Sequence, residues 1–111
     1  MVSMPHLLSR STQIALELLG SEIAQGRRER GWSVESLARR ASVSPVTVRS
    51  VERGAPGAAV GTVFELAALT GVPLFSPDPA ELPRMLANSR DRLSLLPKRV
   101  RKPAPVVDDE F

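Results

Sequence analysis

Arg27-Arg28-Glu29-Arg30-Gly31-Trp32-Ser33-Val34-Glu35-Ser36-Leu37-Ala38-Arg39-Arg40-Ala41-Ser42-Val43-Ser44-Pro45-Val46-Thr47-Val48-Arg49-Ser50-Val51-Glu52-Arg53-Gly54 is the stretch on which the fold turns. It reads as two short helices joined by a tight turn. Leu37, Ala38, Val43, Val48 and Val51 are spaced to meet in one small core. Ser33 is placed to cap the first of these helices, which should run to about Ala41. The start of the second is marked more strongly: Ser44 can accept from the free amides, and Pro45 stands at the first helical position, where its missing N–H costs nothing. That helix should run from Pro45 to Arg53, with Gly54 stopping it in the left-handed conformation.

A short helix pair with such a turn is a helix-turn-helix unit, whose second helix lies in a DNA groove. The charge pattern agrees with an anionic partner. The chain of 111 residues carries a formal net charge of +3 and a sequence pI near 10.5. Arg27, Arg28, Arg30, Arg39, Arg40, Arg49 and Arg53 all fall in the quoted stretch, where phosphate contacts are needed. A second basic run, Lys98-Arg99-Val100-Arg101-Lys102, lies near the C-terminus.

On either side the chain punctuates itself plainly. Residues 1–9, broken by Pro5, read as a flexible arm. From about Ser11, a candidate cap, to Arg30, the residues Ile14, Leu18, Leu19 and Ile23 recur at three- and four-residue steps, the pattern of an amphipathic helix ended by Gly31. Gly20 and Gly26 each cost such a helix about 1 kcal/mol relative to alanine, and Gly20 is placed to allow close helix packing. Trp32 should cover the edge of the core. Ala55-Pro56-Gly57-Ala58 is a loop. A further helix, about Ala59 to Thr70, carries Val60, Val63, Leu66, Ala67 and Leu69, and stops at Gly71 with Pro73 beyond.

Asp78-Pro79-Ala80-Glu81 has the form of a capping box. Behind it Leu82, Met85, Leu86, Leu93 and Leu96 make a partial stripe along a fifth helix ending before Pro97, which either packs on the domain's own flank or meets a second copy. The expected organisation is therefore an arm at 1–9, the helix-turn-helix domain at 10–75, an additional helix at 76–96 and an extended tail at 97–111. The tail is too poor in apolar residues to build a core of its own.

Several classes of function are absent from the pattern. With no cysteine there is neither disulfide nor thiolate metal site. The single histidine, His6, lies in the arm. There is no glycine-rich phosphate loop, no histidine beside a nucleophile and no pair of carboxylates on a common face, so neither enzyme activity nor a metal or cofactor is expected. No apolar run approaches the roughly 20 residues that span a bilayer, and no secretory leader is evident, so a cytoplasmic protein without membrane contact is expected.

Two charged residues of the quoted stretch belong to the scaffold. Arg27 at the end of the first helix and Glu52 at the end of the third are placed to form a partly buried ion pair. The DNA-facing set is then Ser33, at the start of its helix and able to donate to a phosphate, together with Ser44, Pro45, Val46, Thr47, Arg49, Ser50 and Arg53 on the outer surface of the third helix. Arg49 is the long side chain here suited to a bidentate contact with a guanine edge, and Val46 suits a thymine methyl.

From Leu19 to Val72 the chain resembles the Xre/Cro-type, lambda-repressor-like helix-turn-helix family. The matching residues are Ile23, Arg27, Gly31-Trp32-Ser33, Leu37-Ala38, Val43-Ser44, Thr47-Val48, Val51-Glu52-Arg53-Gly54, Thr62, Leu66-Ala67 and Gly71-Val72. The resemblance implies an all-α bundle of about five helices with a flexible N-terminal arm and C-terminal tail, binding double-stranded operator DNA as a homodimer and acting as a transcriptional repressor. The Arg27–Glu52 pairing recurs in that family. The chain departs from it where glutamine is common at Val34, where glycine is common at Ser42, and where polar residues are commoner than Pro45 and Val46. Serine at position 42 implies either a positive φ or a different turn.

The C-terminal residues Leu95-Leu96-Pro97-Lys98-Arg99-Val100-Arg101 and Asp108-Asp109-Glu110-Phe111 resemble the ends of HipB-like antitoxins. Such antitoxins repress their own operon and bind a HipA-like kinase toxin, with Asp108, Asp109, Glu110 and Phe111 the candidate toxin contact here. Two other readings stand beside this one: a stand-alone phage-type or host repressor without a toxin, and a protein-interaction module whose helix-turn-helix no longer reads DNA.

Overall fold

The structure, a computed structural model, describes residues 7–100. The segment 1–6 with His6 and the segment 101–111 with Asp108, Asp109, Glu110 and Phe111 lie outside the described residues. Among the described residues there are five α-helices and no strand: α1 Arg10–Glu29, α2 Val34–Ala41, α3 Pro45–Glu52, α4 Val60–Leu69 and α5 Leu82–Ser94. A single 3-10 turn, Pro79–Glu81, leads directly into α5. The chain forms two compact units that divide between Pro77 and Asp78.

Polar side chains start three of the helices and backbone closures end four. Ser9, Ser33 and Ser44 accept the amides of Thr12, Ser36 and Thr47 at 3.3, 3.0 and 3.2 Å. The cap of α1 is thus Ser9, two residues before the expected Ser11, which stands inside the first turn. Leu8 contributes to the same start, its carbonyl accepting from Gln13 Nε2 at 2.8 Å.

Each of α1 to α4 ends in the same pair of reverse bonds. The amides of Trp32, Val43, Ala55 and Val72 reach back to the carbonyls of Arg27, Ala38, Ser50 and Ala67. Those of Gly31, Ser42, Gly54 and Gly71 reach Arg28, Arg39, Val51 and Ala68. This closure needs a left-handed residue, normally glycine. Three of the four positions are glycine; the fourth is Ser42, with φ 56° and ψ 43°. The turn therefore closes in the same way as the other three, and serine adopts the positive φ.

The core of the first unit is Ile23 of α1, Leu37 and Ala38 of α2, Val48 and Val51 of α3, Leu66 and Ala67 of α4, and Val72 beyond. Val43, expected among them, is only half-buried and packs on the outside with Leu19, Trp32, Val34, Val63 and Leu69. α1 contributes only its C-terminal half. Ile14 and Leu18 of the expected stripe are exposed, because the covered face of the helix is the one that carries Leu16, Leu19, Gly20, Ile23 and Arg27.

Glycines let that half approach closely. A Cβ on Gly20 would collide with the backbone carbonyls of Val51 and Glu52, and one on Gly26 with that of Thr70. Arg30 fastens the same end of α1, donating from Nη1 to Thr70 O at 2.8 Å. The buried Thr70 hydroxyl is itself satisfied by donating to Leu66 O at 2.7 Å.

In the second unit the expected capping box does not form. Asp78 accepts the Ala80 amide at 3.0 Å and so caps the 3-10 turn, while the Glu81 side chain pairs with Arg84. Pro83 favours this arrangement, since it supplies no amide and suits a first turn. None of the residues of α5 is buried, and Leu82, Met85, Leu86 and Leu93 are exposed along it.

Candidate nucleic-acid interface

The expected reading surface depends on how α2 and α3 are seated. Val48 and Val51 are buried, so α3 is fixed with Val46, Arg49 and Arg53 outward. Pro45, Thr47 and Ser50 are half-buried beside them. The Ser44 hydroxyl lies 3.1 Å from the Thr47 hydroxyl as well as capping the helix. Arg53 reaches toward Ser50 Oγ at 3.5 Å. Val46, two-thirds exposed, stands as an isolated apolar group on this row. At the start of α2, Ser33 is exposed, whereas Val34 turns toward the core edge.

Arg27 and Glu52 are brought together. Arg27 donates from Nε to Glu52 Oε2 at 2.7 Å and from Nη2 to Oε1 at 3.0 Å, a two-point fork. Its remaining arm, Nη1, donates to the Trp32 carbonyl at 3.0 Å. All three contacts lie inside the fold, and Arg27 is only 7% exposed. Donating to the Glu52 carboxylate raises the guanidinium above its ordinary pKa against the opposing effect of burial, with the charges of Glu52 and Glu35 adding to the rise. Arg27 ties the end of α1 to the end of α3 and to the entry of α2.

Two groups of functional candidates were missed on sequence grounds. The first is Glu35, in the opening turn of α2. Its Oε2 accepts from Arg49 Nη2 at 3.0 Å, so the long side chain of the reading row is held by a carboxylate from the neighbouring helix. Nothing in the local pattern links residues 14 apart across a turn. The second is an open groove between α1 and α3, lined by Ser21, Ala24, Gln25 and Arg28 on one side and by Arg49, Glu52 and Arg53 on the other. Positions 21, 24, 25 and 28 follow the helical repeat and could have been recognised as one face of α1. With Glu52 committed to Arg27, the groove presents three guanidinium groups against a paired acid.

Trp32 lies at the margin of this region, half-buried, with the guanidinium of Arg40 4.1 Å and that of Arg30 5.8 Å from its ring centre. Such stacking accounts for two of the arginines in the motif without any nucleic acid. Among the described residues no cluster of histidine and acidic side chains is able to hold a metal ion, and no helix is long and apolar enough to cross a membrane.

No curated protein and no solved structure matches the chain. Residues 18–82, more than half of the sequence, match the helix-turn-helix domain family. They take in the capped starts of α2 and α3, the closure at Ser42 and the Arg27–Glu52 fork. The chain belongs to the helix-turn-helix domain family.

Proposed function

We propose that the chain is a sequence-specific transcriptional repressor that binds operator DNA as a homodimer, with α3 entering the major groove. The observation that carries this reading is the outward row of α3, in which Arg49 is an exposed guanidinium at the centre of a helix-turn-helix. Around it, Val46 suits a thymine methyl, Ser44, Pro45, Thr47 and Ser50 allow close approach to base edges, and Arg53 and Ser33 supply phosphate contacts. The exposed stripe of α5 supports a second copy as partner.

Within this reading the finer role is that of a HipB-like antitoxin. The resemblance of residues 95–101 and 108–111 supports it, with Asp108, Asp109, Glu110 and Phe111 as the segment offered to a HipA-like kinase toxin. A protein of this kind is expected in the cytoplasm and performs no catalysis.

Gel-shift titration with the DNA upstream of its own gene tests the central reading. Arg49→Ala is expected to weaken binding to the preferred site by roughly 1–3 kcal/mol and to leave helical content unchanged. Affinity should fall steeply with salt. Flat salt dependence together with unchanged binding by Arg49→Ala would favour a protein-interaction module. Co-purification with the product of the adjoining reading frame, lost on deleting the residues after Pro97, tests the antitoxin role, and its absence favours a stand-alone repressor.

A further inference from the structure

The geometry points to Glu35 as a specificity-determining positioning residue, one that holds the Arg49 fork toward a single base pair and withholds it from phosphates. This rests on the reading of α3 as the base-contacting helix. Glu35 stands one helix away from that row, yet its carboxylate accepts from Arg49 Nη2 at 3.0 Å. Both side chains are about half exposed, at 51% for Arg49 and 54% for Glu35. An ion pair so open to solvent adds little to folding stability. Its effect falls instead on where the guanidinium points.

The charges around Arg49 show why a tether matters. Arg28 and Arg53 line the same groove. Glu52, the acid among its lining residues, is engaged at both oxygens by Arg27. Without Glu35, Arg49 would be repelled by two like charges and drawn to the nearest phosphate, a contact that carries no sequence information. With Glu35 in place, one N–H of the fork is occupied and the others remain for a guanine edge. A guanidinium already immobilised loses less conformational entropy on binding a base. The carboxylate also repels the DNA backbone, so it lowers affinity for every sequence. Glu35 thus exchanges general affinity for selectivity, and the two effects have opposite signs on removal.

The test uses full-length wild type, Glu35→Gln, Glu35→Asp and Arg49→Ala, each selected against a randomised duplex library. The enriched and a scrambled duplex are then titrated at several salt concentrations. Wild type should enrich a guanine whose preference Arg49→Ala abolishes. Glu35→Gln should reduce that preference about tenfold. It should also bind the scrambled duplex more tightly, with a salt slope steeper by about 0.9 as Arg49 reaches a phosphate. Glu35→Asp keeps the charge but shortens the reach, so it should lose preference without gaining general affinity. Thermal melting should change little among the four proteins, Glu35→Gln losing only its charge interactions with the start of α2 and with Arg27.

Glu35→Gln with the wild-type preference, whatever its affinity, would overturn the inference while leaving α3 as the reading helix. A wild-type protein that enriches no sequence would overturn the base-reading role itself and this inference with it.

Discussion

Every donor arm of Arg27 is spent within the fold, and that sets the cost of disturbing its partner. Glu52→Ala leaves a 7%-exposed guanidinium without its counter-charge. Breaking a buried pair on one side is expected to lower stability by about 3–5 kcal/mol, read from urea denaturation. Arg27→Ala with Glu52→Ala should recover part of that loss, since no charge is then stranded. At the other end of the motif, Ser42 occupies the left-handed region with an ordinary side chain. The left-handed conformation costs an L-residue about 1–2 kcal/mol, against about 0.4–1 kcal/mol for the extra freedom glycine brings to the unfolded chain. Ser42→Gly should therefore stabilise the protein by about 0.5–1 kcal/mol, seen as a higher denaturation midpoint at unchanged slope.

Helices α1 and α3 meet where Gly20 leaves room for the last carbonyls of α3. Alanine is the better helix former, but here its methyl group would strike backbone, which is slow to yield. Gly20→Ala should destabilise by about 1–3 kcal/mol despite its propensity gain. Gly61 in α4 faces open space and serves as the control, its alanine variant being expected to gain about 0.5 kcal/mol. The contrast between the two glycines also marks how far local patterns reach. Ser33, Ser44-Pro45, Gly31, Gly54 and Gly71 act through bonds to their own helix ends, so their roles are legible along the chain. So is the Arg27–Glu52 fork, because Glu52 sits beside Val48 and Val51, which must face inward, and Arg27 stands at the end of the first helix. Ser9 escapes because Ser11 offers the same chemistry two residues on. Exposure of Ile14 and Leu18 depends on which face of α1 the other helices cover, and the Glu35–Arg49 contact on how α2 and α3 cross. Asp78 turns to Ala80 rather than into a capping box because Pro83 reshapes the start of α5. The exposures and the Glu35–Arg49 contact are decided by partners in space, and spacing alone does not encode them.

At the scale of the whole molecule, the buried core among the described residues is confined to the first unit: it begins at Ile23 and ends at Val72. A fragment of residues 1–77 should therefore melt cooperatively, followed by circular dichroism, with a midpoint close to that of the full chain. By sedimentation the full chain is expected to be dimeric and the fragment monomeric, since the fragment lacks the apolar stripe of α5. The same economy of core has a spectroscopic side. The chain contains one tryptophan and no tyrosine, and Trp32 sits where the end of α1 passes into α2, with its carbonyl bonded by Arg27 and its ring beneath Arg40. The protein consequently carries a built-in optical label. Indole emission comes from this one junction, so the unfolding of the Glu52 and Ser42 variants can be followed by intrinsic fluorescence with no dye attached.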